Sequence, residues 1–329
     1  MRPVSYMRAT DVDEAVGALT AGPDRAFLAG GTTEIDLLRL GVTAPDVLVD
    51  INDLPLAAIE DRPDGVRIGA LARMSDVARA PSVIARFPGM SQALLLGASE
   101  QLRNMATIGG NLCQRTRCAY FRDGLSGCNK REPGSGCAAM DGANRGHAIL
   151  GTSDHCIATH PSDFAVALVA LDAVVQTIGP NGTRTIPIES FYLEPGDTPH
   201  LEHPLEYGEL IAAVDVPGTP IAAQSSYVKY RDRQSYEFAL VSLFTAVSAA
   251  DGRIEDVRLA LGGVGTVPWR ARRAEAALRG APATPDVFAA AADDEMTAAV
   301  TREHNAFKVE FAKRVIRRGL AQATGGGMS

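Results

Sequence analysis

Ala29-Gly30-Gly31-Thr32-Thr33 and Arg103-Asn104-Met105-Ala106-Thr107-Ile108-Gly109-Gly110-Asn111 are the two stretches on which the reading of this chain turns. Each sets Gly-Gly after an apolar segment and before a polar or helix-starting residue. Glycine admits φ > 0 and lets a ligand approach the main chain with no Cβ in the way. Consecutive free N–H groups at a strand-to-helix turn form a concavity for anions, aided by the positive end of the following helix. Thr32, Thr33 and Thr107 add hydroxyl donors beside those backbones. The spacing is neither G-x-G-x-x-G nor G-x-x-x-x-G-K-[ST], so Rossmann and P-loop readings fail. Either turn alone could be an ordinary tight turn. The pair is compatible with a pyrophosphate held between them.

The first turn lies inside a small β-α-β-α-β unit. Val4–Tyr6, Ala26–Ala29 and Val47–Ile51 read as strands. Thr10 or Asp11 caps a helix with Ala15, Val16 and Leu19 as its buried stripe, and Ile35, Leu37, Leu38 and Leu40 form the apolar side of another. A second unit opens with a strand near Val66–Ala70, followed by helices from Met74 and over Met90–Leu96. It includes an apolar helix, Phe164–Leu171, behind His160-Pro161-Ser162-Asp163, a hairpin signalled by Asn181-Gly182, and a last strand, Glu209–Val216. Pro217-Gly218-Thr219-Pro220 is the expected domain boundary. Beyond it come strands at Ser226–Tyr230, Phe238–Val247 and Val257–Leu261, with Asp251-Gly252 as a turn, and helices from about Arg272 and Asn305. The glycine-rich end, Gly325–Ser329, is expected to fray.

The whole chain has 329 residues, 46% hydrophobic and 22% charged, which suits a protein able to bury a real core. Its formal charge of −7 argues against nucleic acid or an anionic membrane as the main partner. No apolar run approaches the ~20 residues that span a bilayer. The N-terminal residues lack an apolar leader, so no export signal of its own is expected.

All five cysteines (Cys113, Cys118, Cys128, Cys137, Cys156) fall between positions 113 and 156, in an irregular stretch rich in Gly, Arg, Asn and Ser. Long irregular stretches inside compact domains are usually functional or disordered, and clustered cysteines in a chain with ample core suggest a metal site rather than a disulfide framework. The spacing C-x4-C-x9-C-x8-C-x18-C matches neither paired zinc ligands nor the ferredoxin run. An iron–sulfur cluster, zinc (with His155 or His160) and unligated thiols all stay open from spacing. Arg115, Arg117, Arg122, Lys130, Arg131 and Arg145 would offset the charge of a thiolate-ligated cluster.

The paired glycine motifs resemble the FAD-binding signatures of the flavin subunit of xanthine-dehydrogenase-like molybdenum hydroxylases. Further similarities follow in the family's order: Pro161-Ser162-Asp163, Gly208-Glu209-Leu210-Ile211, Tyr227-Val228-Lys229 and Tyr236-Glu237-Phe238-Ala239-Leu240-Val241-Ser242. The resemblance implies an α+β fold. It would comprise a two-subdomain FAD-binding domain of the vanillyl-alcohol-oxidase type over 1–218 (subdomains about 1–55 and 56–218), then a small α+β C-terminal domain over 219–329. It implies that Ala29, Gly30, Gly31, Thr32, Thr33 and Glu34 cradle the pyrophosphate, and that Thr107, Gly110 and Asn111 lie near pyrophosphate and flavin. Asp163 would bond the ribityl or ring portion. Lys229 would stand near the isoalloxazine, although a strand-end lysine is by default solvated.

The cysteine stretch looks like the insertion found in the flavin subunits of 4-hydroxybenzoyl-CoA reductase and of the bacterial periplasmic aldehyde oxidoreductase. The residues that carry this are Gln114–Cys118, Cys128–Arg131, Pro133–Ala139 and Cys156–Asp163. It implies a [4Fe-4S] cluster (113–156) held by Cys118, Cys128, Cys137 and Cys156, with Cys113 a buried inert thiol. No G-x-S-x-G, H-E-x-x-H or Ser/His/Asp grouping occurs, and the Asp293-Asp294-Glu295 run reads as a solvated face. The resemblance then implies an electron-transfer subunit of a heterotrimeric aldehyde oxidoreductase. A large molybdenum-cofactor subunit and a small [2Fe-2S] subunit would be its partners, with electrons leaving to an external acceptor. Its location would be periplasmic by co-export on a partner's signal, or cytoplasmic. A stand-alone flavoprotein and a zinc-stabilised non-redox binding subunit are the alternatives.

Overall fold

Three parallel strands open the chain in a computed structural model that describes residues 2–325. They are β1 (Ser5–Arg8), β2 (Arg25–Leu28) and β3 (Val47–Asp50), joined by α1 (Val12–Thr20) and α2 (Glu34–Leu40), with sheet order β1-β3-β2. Parallel pairing needs helical crossovers, and the expected β-α-β-α-β unit supplies them. Asp11 caps α1, its carboxylate accepting from the Glu14 N–H at 2.8 Å, and Ala15 and Leu19 are buried beneath it. The apolar side of α2 is narrower than expected: Leu37 and Leu38 are buried, while Ile35 and Leu40 stay exposed.

The second unit is an antiparallel five-stranded sheet covered by helices. It runs β4 (Ile59–Arg62), β5 (Gly65–Gly69), α3 (Met74–Arg79), α4 (Pro81–Arg86), α5 (Pro88–Leu96), α6 (Glu100–Arg103), α7 (Ile108–Leu112), α8 (Ala119–Arg122) and α9 (Asp163–Ala170). Then follow β6 (Val174–Gly179), β7 (Gly182–Pro187), α10 (Ile188–Phe191) and β8 (Leu210–Pro217), in sheet order β4-β5-β8-β6-β7. β4 escapes the sequence because an edge strand reading Ile-Glu-Asp-Arg has little apolar alternation. In the β6–β7 hairpin Pro180-Asn181 forms the two-residue turn, one position earlier than an Asn181-Gly182 turn would lie, and Gly182 at φ +98° opens β7. Every residue of α9 is buried.

The C-terminal unit is an antiparallel sheet of β9 (Ser226–Tyr230), β10 (Val241–Ala250), β11 (Arg253–Gly262) and β12 (Trp269–Arg270). It is backed by α11 (Arg272–Leu278), α12 (Pro285–Glu295) and α13 (Phe307–Ala323). Asp251 and Gly252, at φ +50° and +72°, make the expected tight hairpin. Phe244, Ala246 and Ala260 of this sheet belong to the same apolar core as Phe87, Phe164 and Phe191 of the second unit. The acidic run needs correction: Glu295 is buried, accepting from Trp269 Nε1 (2.8 Å) and the Ala274 N–H (2.9 Å), so it closes α12 onto α11. The expected frayed tail from 326 onward lies outside the described residues.

Glu209, just before β8, ties this strand to its neighbours. Burial alone would raise its carboxyl, but Arg184 Nε (2.8 Å) and Nη2 (2.7 Å), the Thr177 hydroxyl and the Glu206 N–H hold it below its ordinary 4.5. The resulting stabilisation is present above the ordinary value and disappears as pH falls through the lowered one. Glu209→Gln is therefore expected to lose about 2 kcal/mol at neutral pH. The gap to the parent should narrow as pH falls below the ordinary carboxyl range, as read by paired thermal melts at neutral and acid pH. An equal gap at both pH values would contradict this.

Candidate cofactor crevice and cysteine loop

The first Gly-Gly turn carries the chain from β2 into α2. Among the described residues, the peptide N–H groups of Gly30, Gly31, Thr32, Thr33 and Glu34 donate to no protein acceptor. Such a run of unpaired donors is costly unless water or a ligand meets it, and it makes an anion concavity. Gly31 sits at φ +71°. A Cβ on Gly30 would overlap the Met105 carbonyl oxygen and lie 2.8 Å from its carbon, so the two glycine segments touch at backbone distance. Burial pushes the Glu34 carboxyl up, while the Thr43 hydroxyl (3.2 Å) and Arg115 oppose it.

The second turn differs from the first. Ile108 N–H donates to Ala72 O (3.0 Å), Gly109 to Ala70 O (2.8 Å), Gly110 to Thr107 Oγ1 (3.2 Å) and Asn111 to Thr107 O (2.8 Å). It is the Thr107-capped start of α7, not a strand-to-helix amide pocket. The expectation of two equal pockets is corrected to one open row of donors faced by a glycine wall. Asn111 has a positioning job: its Oδ1 accepts from Ser162 Oγ (2.6 Å), and Ser162 caps α9 by accepting from Ala165 N–H (3.0 Å). That fixes the first residue of α9, Asp163.

Asp163 and Lys229 form a buried ion pair at 2.7 Å, with the Lys229 side chain only 1% exposed, so the solvated-lysine default does not hold. The Tyr227 hydroxyl donates to the other Asp163 oxygen (2.7 Å), and Lys229 also donates to Leu96 O (3.1 Å). Burial pushes the Asp163 carboxyl up, and Lys229 and Tyr227 pull against it.

These groups wall one crevice of two lobes. The smaller, of about 220 Å³, is bounded by Ala29–Glu34, Thr107 and apolar residues such as Leu71 and Leu210. The larger, of about 650 Å³, is bounded by Asn111, Asp163, Lys229 and Phe238. Thr32, Thr33 and Gly110 belong to both, so every cofactor residue singled out in the sequence lines this crevice. Sequence reasoning assigned Arg117 and Arg122 to the cluster's surroundings and missed their place in the crevice. Both line the larger lobe and pair with Asp36 of α2 (Arg117 at 3.5 Å), yet Arg117 Nε and Arg122 Nη1 are buried with no partner. Arg117 also lies 5.2 Å above the Phe238 ring. No spacing in the sequence marks these contacts.

In the cysteine loop, Cys128 and Cys137 face each other as bridge partners, and Cys118 packs beside Cys128 under Phe121 and Leu37. Asn129 knits the turn to Cys156's neighbour, accepting from the Gly134 (3.1 Å) and Gly136 (2.8 Å) N–H groups and donating to His155 O (3.1 Å). Burial, then neighbouring thiols, pushes Cys118 up to about 12; Cys156 rises to about 11 for the same reasons, with Lys130 opposing. Cys113, pushed up to about 12 by burial and Glu202, lines the smaller lobe instead. Among the described residues, no three His, Cys, Asp or Glu side chains converge as they would around a single metal ion.

The histidine beside a cysteine is His147, whose Nε2 lies 3.2 Å from Cys118 Sγ. His155 points at Asp197 (3.4 Å), and half-buried His160, pushed down to about 3 by desolvation, packs edge-on against Tyr192. The six basic residues expected to offset cluster charge each meet a carboxylate within 4 Å: Arg115 and Lys130 pair with Glu202, Arg117 and Arg122 with Asp36, Arg131 with Asp123 and Arg145 with Asp232. Their net field is smaller than the sequence suggests. Lys308 of α13 is fully buried with no such carboxylate; its Nζ donates to the carbonyls of Gly146 (3.0 Å), His147 (3.0 Å) and Gly263 (2.7 Å).

The family model for the FAD-binding domain in molybdopterin dehydrogenase matches residues 2–219, and that for the CO dehydrogenase flavoprotein C-terminal domain matches 226–323. The chain is a FAD-binding medium subunit of the xanthine-dehydrogenase family of molybdenum hydroxylases. This flavin subunit is 48% identical to the aldehyde oxidoreductase FAD-binding subunit PaoB of Escherichia coli K12, over 98% of its own length and 99% of PaoB. It is 26% identical to the carbon monoxide dehydrogenase medium chain of Hydrogenophaga pseudoflava, across 97% and 96% of the two chains. A solved carbon monoxide dehydrogenase from that organism superposes with a TM-score of 0.77 at 27% identity, covering 99% of both chains. The flavin subunit is thus an oxidoreductase component whose two-part α+β fold matches the expected one.

Proposed function

We propose that this flavin subunit serves an aldehyde oxidoreductase, with FAD laid along the two-lobed crevice and an additional [4Fe-4S] cluster in the cysteine loop. The observation that carries the flavin reading is the unpaired amide row at Gly30–Glu34, sharing one crevice with the Asp163–Lys229 pair. The unpartnered guanidinium donors of Arg117 and Arg122 fit the same anionic ligand. The apolar lobe suits an adenine, and the lobe beside Phe238 and Lys229 suits the isoalloxazine. Bound there, FAD supplies the exchange of electrons between partner centres and an external acceptor, and a cluster adds a one-electron carrier.

The chain's own residues set the conditions for that exchange. Asp163 orients Lys229 Nζ through their 2.7 Å contact. Lys229 spends two of its three N–H donors on Asp163 and Leu96 O, which leaves one for the ring, where a cation offsets the charge of reduced flavin. Asn111 and Ser162 hold Asp163 in register. Likeness to PaoB supports the aldehyde class, and with it a large molybdenum subunit and a small [2Fe-2S] subunit as partners.

For the loop, Cys118, Cys128, Cys137 and Cys156 share one neighbourhood while Cys113 does not. Four thiolates around zinc lie within ~4 Å of one another, given ~2.3 Å bonds. An iron–sulfur cube separates them further, which is compatible with the lack of a single-ion site. Cys137→Ser is expected to lower the iron and acid-labile sulfide of the complex by the share of one [4Fe-4S] cluster, leaving that of the [2Fe-2S] subunit and the flavin in place, and Cys113→Ser to leave all three at the parent level. Absorbance, iron and sulfide assays on anaerobically purified complex check this. Stoichiometric zinc without sulfide would reject the cluster. Protein that stays colourless after reconstitution with flavin, iron and sulfide would reject the whole reading.

A further inference from the structure

We propose that His147 donates its Nε2–H to the sulfur of Cys118 and thereby raises the reduction potential of the loop's cluster, an inference that rests on the cluster assignment above. The contact is 3.2 Å long and lies in the part-buried loop. The proton's place follows from the other side of the ring. Among the described residues, Nδ1 is buried with no partner. A proton there would leave a buried N–H orphaned, which costs more than an orphaned lone pair. It would also turn the Nε2 lone pair toward a ligand sulfur that, as thiolate, offers only lone pairs. The Nε2–H tautomer alone makes the contact attractive.

Cys118 is the ligand placed to matter. Its sulfur meets a side-chain N–H, that of His147, whereas Cys156 Sγ accepts from the backbone Ala158 N–H at 3.4 Å. Of the four proposed ligands, Cys118 lines the chamber of about 340 Å³ that it shares with Arg117, Asp163 and Phe238. The side-chain donor therefore sits on the proposed ligand that shares a chamber with residues of the flavin crevice. When the cluster takes one electron, from dithionite in a titration, negative charge grows on its sulfurs. No bond breaks and no proton moves. An N–H already aimed at a sulfur stabilises that state more than the oxidised one, which raises the potential.

Lys308 is the positioning residue for the ring. Its three bonds to the carbonyls of Gly146, His147 and Gly263 pin the segment that carries the imidazole to the C-terminal sheet. The basic residues around the loop are occupied by carboxylates, so local hydrogen bonding rather than their bulk charge is left to set the potential.

The test is an EPR-monitored redox titration of the native complex. His147→Phe keeps a ring against Tyr120 and removes the donor; His147→Gln keeps an N–H. The Phe variant should retain wild-type iron, sulfide and flavin. Its cluster midpoint should fall by about 59 mV, a tenfold shift in the reduced-to-oxidised ratio of a one-electron couple, with the flavin potential unmoved. The Gln variant should recover most of the shift. An unmoved cluster potential in the Phe variant would overturn the proposal, as would loss of iron from both variants, which would make His147 a ligand or a structural necessity. Wild-type complex whose iron and sulfide are fully accounted for by the [2Fe-2S] subunit would overturn the cluster assignment along with it.

Discussion

Asp163→Ala is expected to give a flavin subunit that melts earlier and retains FAD more than tenfold less well than its parent. The Lys229 ammonium is buried, and its one anionic partner within 4 Å is Asp163. Removing that carboxylate strands a charge away from water, a change that costs about 3–5 kcal/mol when a buried pair is broken from one side. The Tyr227 hydroxyl loses its acceptor in the same stroke. The first turn of α9, on which the larger lobe is built, is then free to rearrange. Lys229→Met should be milder for stability, because the remaining carboxyl can take a proton. The double variant should regain part of the lost stability but not the flavin, since both groups line the lobe. Thermal melts and the flavin-to-protein absorbance ratio check this. Full flavin occupancy in Asp163→Ala would mean the pair serves only the fold.

The second large effect is expected from Gly30→Ala. The added Cβ meets backbone, the Met105 carbonyl and the Ala106 Cα at 3.2 Å, so no side chain can swing aside to relieve it. The two glycine segments must part, at a cost at or above the ~3 kcal/mol end of ordinary overpacking. The crevice then opens where its lobes join. Gly31→Ala meets only the Ile35 side chain at 3.2 Å and the strain of φ +71°, roughly 1–2 kcal/mol. The two variants should therefore differ in kind: flavin-free Gly30→Ala, and flavin-bound but less stable Gly31→Ala. Equal flavin content in the two would show that the close approach of the segments is dispensable.

Much of this architecture could be read from local pattern. Parallel strands alternating with amphipathic helices, the Asp251-Gly252 turn and the Ser162 cap are all written in short windows. The glycine pairs stood out in the sequence itself, whereas Asn111, Asp163 and Lys229 entered only through the family resemblance. What escaped was pairing across long separations. Nothing near Gly109 tells that its N–H is taken by Ala70, so the two turns looked alike. Lys229 meets Asp163 across 66 positions, and His147 meets Cys118 across 29. Glu295 was misread because an acidic run reads as solvated whichever of its members turns inward. β4 and α12 were lost for a simpler reason, weak apolar periodicity.

Lys308 sets an order of events. It belongs to α13, yet it anchors Gly146 and His147, 162 and 161 positions upstream. Synthesis runs from the N-terminus, so the cysteine stretch leaves the ribosome long before its clamp exists. Contacts of such separation form late in folding. The loop's clamp closes only once α13 has been made, so the loop reaches its final shape late in folding.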